Sequence, residues 1–416
     1  MLAFQAIPAN SSASGVGTQA LPIAGRVLGE ISAAVTDDIR EVESIWRGLQ
    51  AGGVESPGQS FDFIRLWVEN RRIARTDQRY VVGSVDGVPV ALLALHRKRV
   101  RGVPVFTWFP GANVGCYAPV ANYGRLAALE PIGRSLLWQS MLSRLEGADV
   151  VYLRAIPVEV GGHAGLFNEL GVTVAVEKVY RSEYANWEEC DRLQRNKSRR
   201  KHDRQQGDRL SALGDVTFEV IRNGGDTTGA IDTMFRQRSA RFKVMGVRDP
   251  FAHDRLTSFY HDAVKPDSGV DVRLHVLRLN AEIVAVRYNI VQGDRMFCLI
   301  SSMSDDPAIQ QGSPGKQCLL RVMQSVFDDG IRVFDMGSGF TDEKRHWCNV
   351  QTPLQQHYIG LTRQGALIVA AHQAFQRARF ALKANKQVRS AIRGAQVLFD
   401  RVTGAGKPEA PAEKAE

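Results

Sequence analysis

The stretch from Arg295 to Trp347 constrains the fold more than any other part of the sequence. It reads as an apolar strand, a polar loop that ends in a Ser313-Pro314-Gly315 turn, a helix from about Lys316 to Asp328, and a second apolar strand. Apolar residues recur in the helix at three- and four-residue spacings, namely Leu319, Leu320, Met323 and Phe327. The second strand carries Asp335 and opens into Gly337-Ser338-Gly339. The pattern predicts a strand-helix-strand unit with one buried helix face.

The turn before the helix is a candidate anion site. The first backbone N–H groups of a helix have no intrahelical acceptor, and they face the loop at the carboxyl end of the preceding strand. An anion can take the place of the missing acceptors, and the helix dipole favours negative charge there. The turn therefore predicts a site for a phosphate or a pyrophosphate.

Several motifs in this stretch resemble those of one acyltransferase superfamily. Gln310 to Gly315 resembles the Gln/Arg-x-x-Gly-x-Gly/Ala turn of the GNAT acyltransferases, with Ser313 where the first Gly of the pattern stands. Phe334-Asp335, followed by glycines, Lys344 and Trp347, resembles the ending of the cellulose-biosynthesis-type acetyltransferases, a GNAT branch related to the Fem peptidyltransferases. Asp305-Asp306-Pro307 resembles another motif of that branch. Where the branch has Tyr before the lysine, this chain has Glu343.

The resemblance implies an acyl-coenzyme A dependent N-acyltransferase acting on an amine, for example an amino sugar or an envelope-polysaccharide precursor. It implies contacts to the acyl-coenzyme A from Met303, Ser304, Asp305, Gln311, Gly312, Ser313, Gly315 and Lys316. It implies catalytic roles for Asp335 as the base, Lys344 as a loop cation and Tyr358 as an acid for the thiolate. The acceptor would contact Arg238, Arg241, Phe242 and Trp347.

The order of elements recurs along the chain. Helices, an antiparallel meander, a helix and a strand are predicted twice, and Gly133, Leu137 and Val151 align with residues of the second half at one constant offset of 182. We predict an α/β (α+β) fold of two tandem GNAT-like domains, each with a mixed, mostly antiparallel sheet flanked by helices. The first copy has Leu153 where the second has Asp335, and its turn contains Glu130, so we expect it to be non-catalytic and to bind no coenzyme.

Length and composition set the domain plan. A chain of 416 residues exceeds the usual size of one domain, and its 44% hydrophobic and 23% charged residues are ordinary for globular proteins. The predicted segments are a disordered leader (1–30), an N-terminal GNAT-like domain (31–190), a basic connector helix (191–214), a C-terminal GNAT acyltransferase domain (215–363), a basic amphipathic helix (364–403) and a disordered tail (404–416).

The net charge of +9 is concentrated in the connector and in the C-terminal helix. Either segment could meet an anionic cofactor, nucleic acid or anionic lipid, and either could be a solvated helix face. The C-terminal helix suggests peripheral membrane contact, although packing of its apolar stripe on the domain is the commoner outcome. The leader lacks the features of a signal peptide, so we expect a cytoplasmic protein. The five scattered cysteines have no metal-ligand spacing, so no metal site is expected.

Alternatives remain open at this stage. Asp335 could cap a loop, Lys344 could be a surface charge, and Tyr358 could belong to the core. A Fem-like transferase that uses aminoacyl-tRNA shares the double architecture, but no long helical hairpin is seen. A non-catalytic binding protein is suggested by Ser313 and Glu343, which depart from the motifs.

Overall fold

A computed structural model of the protein describes residues 29–110, 114–253 and 255–384, with side chains to residue 376. The strands in this part of the chain are β1 (Ile31–Thr36), β2 (Gln78–Val85), β3 (Val88–Val100), β4 (Val103–Trp108), β5 (Val120–Ala121), β6 (Val150–Pro157), β7 (Glu159–Val160), β8 (His163–Ala164), β9 (Val172–Glu183), β10 (Val216–Arg222), β11 (Asp271–Leu279), β12 (Glu282–Gln292), β13 (Arg295–Met303), β14 (Val333–Ser338) and β15 (Val350–Gly360).

The α-helices of the same residues flank these strands. They are α1 (Glu43–Gln50), α2 (Phe61–Asn70), α3 (Tyr123–Ala128), α4 (Pro131–Leu142), α5 (Trp187–Gln194), α6 (Lys197–Ser211), α7 (Thr228–Val244), α8 (Pro250–His253), α9 (Thr257–Ala263), α10 (Pro307–Gln310), α11 (Pro314–Asp328), α12 (Asp342–Trp347) and α13 (Arg363–Ala384).

One large sheet organises the described residues. Its strand order is β1-β2-β3-β4-β6-β15-β9-β14-β13-β12-β11-β10, with β5 paired to β3. Neighbouring strands are antiparallel except for β4 with β6 and β13 with β14, which are parallel. A crossover helix joins each parallel pair, α4 in the first case and α11 in the second. The predicted fold class, a mixed and mostly antiparallel sheet flanked by helices, is confirmed.

The sheet consists of two similar units that exchange their last strands. We call residues 31–157 the first unit and residues 216–338 the second unit. The strand that follows the first unit, β9, pairs with β14 of the second unit, and β15, which follows the second unit, pairs with β6 of the first. β9 and β15 also pair with each other at the centre of the sheet. The division at residue 190 stays a prediction, but strand pairing crosses it.

Two apolar clusters fill the helix layers. The larger one spans both units, since α2 packs on α9 with Phe63 and Trp67 each 5.0 Å from the ring of Phe259. The smaller one lies under α11, where Leu319, Met323 and Phe327 are buried as the helical spacing predicts. α11 is thereby fixed against the sheet beside β13.

Some local predictions differ from the structure. The connector is two helices, because Asn186 caps α5 and Asn196 caps α6 through side-chain bonds to backbone N–H groups. The single helix expected from Pro250 to Val264 is two short helices, α8 and α9. β1, β9 and α12 were not predicted. The C-terminal helix begins at Arg363, and its predicted part beyond residue 384, the tail and nearly all of the leader lie outside the described residues.

Candidate functional site

The parallel strands β13 and β14 separate soon after they meet. Their pairing has three residue pairs, from Arg295 with Val333 to Phe297 with Asp335. Beyond this point β13 carries a bulge opposite Tyr288 and Asn289, and β14 passes through Gly337, whose φ of 78° lies in the left-handed region that favours glycine. The edges of both strands therefore face a gap instead of each other.

A cavity of about 410 Å³ occupies this gap, and we call it the split cavity. It is lined by Gly115, Arg238, Phe242, Pro250, Phe251, Arg287, Cys298, Leu299, Ile300, Ser301, Met336, Gly337, Ser338, Thr341, Glu343 and Lys344. Three of these lining residues are cations and one, Glu343, is a carboxylate. The cavity can therefore hold a polar or anionic group against one acidic side chain.

Arg238 and Phe242 extend from α7 into the split cavity, and their contact with the acceptor stays a prediction. The guanidinium of Arg238 lies 4.6 Å from the centre of the Phe242 ring, and its Nε is buried with no hydrogen-bond partner. Burial, with the neighbouring charge of Arg241, lowers the pKa of Arg238. Arg241 itself is exposed and does not line the cavity. Arg238 therefore provides a positive charge and an unused N–H donor at this site.

Lys344 closes the other side of the split cavity from α12. Its Nζ donates to the carbonyl oxygens of Ser338 at 2.5 Å and Gly339 at 2.9 Å, and it lies 5.8 Å from the centre of the Tyr180 ring. Burial lowers the pKa of Lys344. The lysine thus fixes the loop after β14 while its charge remains at the cavity.

Glu343 separates the split cavity from a second cavity. Arg287 of β12 is buried and donates from Nη2 to Glu343 Oε2 at 3.1 Å and to the carbonyl of Gly315 at 3.3 Å. The pair therefore ties the start of α12 to the first turn of α11. Glu343 lines both cavities, so its carboxylate stands where they meet.

The second cavity, about 500 Å³ in volume, lies between α6, α11 and α12, and we call it the basic cavity. Its lining includes five residues that can carry positive charge: Arg199, His202, Lys316, Arg345 and His346. Its carboxylates are engaged with cations, Asp203 with Arg195, Asp342 with Arg345, and Glu343 with Arg287. Arg345 and, at 3.9 Å from Asp203, Arg199 take part in these pairs, so Lys316 is the lining Lys or Arg that no ion pair among the described residues engages.

The histidine and the tryptophan of the basic cavity come from α12. Burial, followed by the charges of Arg199 and Arg345, lowers the pKa of His346. Trp347, predicted to contact the acceptor, instead lines this cavity, where its ring lies 5.2 Å from the guanidinium of Arg199. An anion bound here would favour protonated His346, because it would offset the neighbouring positive charges.

The turn before α11 has the conformation of a helix start but few free donors. Ser313 caps the helix with φ 50° and ψ 60°, and its carbonyl accepts the N–H groups of Lys316 and Gln317 at 3.0 Å each. Gly312 packs against α6, since a Cβ there would meet Leu210 at 2.8 Å. Lys316 is exposed and reaches the basic cavity. Side chains around the turn must therefore supply most of the contacts to an anion.

The other predicted coenzyme contacts are not all brought together. Met303 lies under the turn, with its Sδ 2.9 Å from the position of a Cβ on Gly315. Ser304 and Asp305 line a separate small cavity beside α7, and the Gln310 side chain donates to the Ser304 carbonyl at 2.6 Å. The structure therefore places Gly315 and Lys316 near the basic cavity, and Ser304 and Asp305 away from it.

Asp335 does not point into either cavity. It is 3% exposed, its Oδ2 accepts a bond from Arg181 Nε at 2.9 Å, and its Oδ1 accepts the Gly337 N–H at 2.7 Å. Arg181, which comes from β9, also pairs with Glu55 at 2.7 Å, and Glu55 pairs with Arg295 at 3.1 Å. Asp335 thus lines neither cavity, and the exchanged strand β9 brings a counter-ion to it, while its role as the base stays a prediction.

Burial and charge act on this buried ion cluster in opposite directions. Burial raises the pKa of Glu55, but the charges of Arg181 and Arg295 outweigh it and hold that pKa below its ordinary value. The cluster joins a loop of the first unit to β14 and β13 of the second. It therefore fixes one wall of the split cavity.

Tyr358 lies on β15, beside the first unit, and lines neither cavity, so its role as an acid stays a prediction. It pairs with Tyr152 across β15 and β6, stacks on that ring at 5.0 Å, and hydrogen-bonds to Gln356 and His372. Burial raises the pKa of its hydroxyl. The exchange of the last strands accounts for the displacement, because β15 completes the sheet of the first unit.

Sequence reasoning missed Arg181, Glu55 and Arg287. Each gains its role from a partner far away in the chain, such as Arg181 with Asp335, 154 residues apart. Glu343 carried a visible signal, since it stands where the related sequences have Tyr. Among the described residues no group of three or more His, Cys, Asp or Glu side chains could hold a metal ion.

One family model matches the second half of the chain. Residues 197–345 match the family model described as an acetyltransferase (GNAT) domain, and this range contains most of the residues that line the two cavities. This part of the chain is thus similar to GNAT acetyltransferase domains. No curated protein sequence matches the chain. None of the helices in the described residues combines the length and the apolar character that crossing a membrane requires.

Solved structures with a similar fold include three of named function or family. The C-terminal domain of a putative lysylphosphatidylglycerol synthetase from Agrobacterium fabrum is 13% identical, with a TM-score of 0.48, covering 80% of this chain and 95% of that one. FemX is 11% identical, with a TM-score of 0.46 and coverage of 70% and 90%. A tandem GNAT protein from the clavulanic acid biosynthesis pathway is 11% identical, with a TM-score of 0.43 and coverage of 80% and 99%.

Proposed function

We propose that the protein is an acyl-coenzyme A dependent N-acyltransferase whose reaction takes place in the second unit. The observation that carries the proposal is the meeting of two cavities at Glu343, one basic and one in the gap between β13 and β14. A donor with a charged end and an uncharged acyl arm fits this pair of cavities. The match of residues 197–345 to GNAT acetyltransferase domains supports the same assignment.

In this proposal the phosphates of coenzyme A occupy the basic cavity. Coenzyme A carries its negative charge on a pyrophosphate and a ribose phosphate, and the cavity offers Arg199, His202, Lys316, Arg345 and His346. The acyl arm then passes Glu343 into the split cavity. There the unpaired edge of β13 after Phe297 offers backbone groups to the amides of the arm, much as a neighbouring strand would.

The chemistry requires one base at the acceptor amine. The nitrogen of the neutral amine attacks the thioester carbonyl carbon, so that a C–N bond forms and the C–S bond breaks. The proton lost by the nitrogen passes to Glu343, and the coenzyme A thiolate leaves and takes up a proton. We assign this role to Glu343 because it is the one carboxylate among the described residues that line the split cavity.

The split cavity also indicates the kind of acceptor. Arg238 and Lys344 place two positive charges beside the position proposed for the amine, and the Arg238 Nε lacks a partner. We propose an acceptor that carries an anionic or a multiply hydroxylated group next to its amine. An amino sugar or an envelope-polysaccharide precursor, as the resemblance implies, has this character.

A panel of acyl donors tests the proposal. Acetyl-, succinyl- and long-chain acyl-coenzyme A are added to the protein in thermal-shift measurements, and release of the free thiol is then followed with a set of amines. A donor at about 100 times its dissociation constant stabilises the folded chain by about 2.7 kcal/mol. Stabilisation with turnover supports the enzyme, stabilisation without turnover for any amine supports a non-catalytic binding protein, and no stabilisation contradicts the proposal.

An aminoacyl-tRNA donor is the second candidate, and the surface of α6 favours it. Lys197, Lys201 and Arg204 are exposed on this helix beside the basic cavity, which suits a longer phosphate backbone. Filter binding with charged tRNA and with coenzyme A as competitor separates the two donors. Binding of tRNA that coenzyme A does not displace, together with no thermal shift by acyl-coenzyme A, would favour the tRNA donor.

A further inference from the structure

The mouth of the split cavity carries exposed apolar side chains on two segments. Phe242 lines the cavity, and in the loop that follows Val244 is 82% exposed, Met245 57% and Val247 47%. Ser338 and Thr341 also line it, and Phe340 between them is 63% exposed. We call Val244, Met245, Val247 and Phe340 the apolar rim. These are some of the most exposed large apolar side chains among the described residues.

The exposure of these side chains indicates a surface that contacts another molecule or a membrane. Exposed apolar side chains gathered at one site, bordered by polar residues, mark interaction surfaces in soluble proteins. The loop cannot be explained as part of a buried core, because every residue from Lys243 to Arg248 is exposed. The rim flanks the cavity on two sides, so its partner would also meet the acceptor side of the site.

The charges beside the rim indicate what that partner is. Arg241, Lys243 and Arg248 are exposed within and next to the loop. The nearest acidic residue in this stretch, Asp249, turns inward, where it accepts a bond from Ser239 and caps α8 through the Phe251 N–H at 2.9 Å. The apolar side chains of this loop, flanked by Lys and Arg, are the combination that binds the interface of an anionic bilayer, while Phe340 is followed by Asp342, which pairs with Arg345 at 3.3 Å.

We propose that the apolar rim docks on an anionic lipid surface and that the acceptor amine is borne by a membrane molecule. Val244, Met245 and Phe340 enter the boundary between headgroups and acyl chains, and the neighbouring cations contact the lipid phosphates. The split cavity then opens toward the headgroups. The membrane contact itself is independent of the proposed function. The nature of the acceptor rests on the proposed acyltransferase function.

Vesicle sedimentation with the full chain tests this surface. Vesicles of phosphatidylcholine alone are compared with vesicles that also contain phosphatidylglycerol. Val244→Glu, Met245→Glu and Phe340→Glu each place a negative charge in the rim, and Ile132→Glu is the matched control because Ile132 is 68% exposed on α4 of the first unit. We expect binding that requires phosphatidylglycerol, that falls about tenfold in each rim variant, and that is unchanged in the control.

Other outcomes overturn the proposal. Absence of binding to either vesicle, or equal loss in the rim variants and in Ile132→Glu, shows that the rim is not a lipid surface. A rim variant that alters the molar mass in light scattering, with no effect on vesicle binding, identifies the rim as a contact between copies of this chain. Acyl-coenzyme A binding is measured on the same samples, so that loss of the membrane contact is distinguished from failure of the acyltransferase proposal.

Discussion

Replacing Asp335 by Asn separates a structural role from a catalytic one. The variant keeps an oxygen that can accept the Gly337 N–H, but it removes the negative charge beside the Arg181 Nε. The side-chain NH2 group of the asparagine can also face the Arg181 Nε–H, so that two hydrogen-bond donors meet. Since Asp335 is buried and lines neither cavity, we expect the main effect to be on stability.

The magnitude follows from the charges of the buried ion cluster. Two carboxylates, Glu55 and Asp335, face two guanidiniums, Arg181 and Arg295, and removing one carboxylate leaves a buried positive charge in excess. Breaking a buried ion pair from one side costs about 3–5 kcal/mol. Because Arg181 keeps Glu55 as a second partner, we expect a loss near the lower limit, about 3 kcal/mol.

Urea unfolding of matched variants measures this loss. Asp342→Asn is the control, since Asp342 is an exposed carboxylate whose surface pair with Arg345 contributes little. The double variant Arg181→Met, Asp335→Leu removes both members of the pair, while Glu55 keeps Arg295 and the Gly161 N–H. We expect it to recover most of the stability lost in Asp335→Asn, because no unpaired charge remains from that pair.

The result that would refute this reasoning concerns the same variant. If the free energy of unfolding of Asp335→Asn lies within about 1 kcal/mol of the wild type, and its turnover per folded molecule falls by about a hundredfold, Asp335 acts on the substrate. The buried position of Asp335 predicts instead a large loss of stability with little change in turnover per folded molecule.

Further predictions address the core, the turn and the base. Burial lowers the pKa of His275 to about 3, so its contribution to stability is complete above its ordinary pKa of 6.5 and is lost as the pH falls toward 3. Lowering the pH from 6.5 to 5 should therefore reduce the free energy of unfolding by about 2 kcal/mol. Urea unfolding of His275→Gln should show a smaller reduction over the same pH range. Gly315→Val brings a side chain against Met303 and should weaken acetyl-coenzyme A binding about tenfold in calorimetry, which unchanged affinity would contradict. Glu343→Gln should lower kcat about a hundredfold with little change in acetyl-coenzyme A affinity, whereas an unchanged kcat would exclude it as the base.

Local sequence patterns predicted most of the elements around the site. The three- and four-residue spacing in α11 depends only on neighbours in the chain, and the buried face of that helix is the one the spacing predicts. The Asp86-Gly87 pair between apolar runs is likewise a local signal for a hairpin, and both residues have positive φ in the turn between β2 and β3. Such features require no knowledge of distant partners.

The exchange of the last strands could not be predicted in this way. The local sequence of β9 or β15 does not indicate which unit each strand will join, because the pairing of distant strands depends on the topology of the whole sheet. That exchange alone places Tyr358 beside the first unit and brings Arg181 to Asp335. The surroundings of the predicted base and acid therefore could not be read from the sequence, for a single structural reason.

Titration calorimetry with acetyl-coenzyme A tests the central claim most directly. We expect one site per chain in the wild type, because the claim places the donor in the second unit alone. Arg199→Gln, in the basic cavity, should weaken binding about tenfold, whereas Arg209→Gln, an exposed arginine of α6 outside that cavity, should leave it unchanged. Two sites per chain, no binding, or equal effects of the two variants would contradict the account.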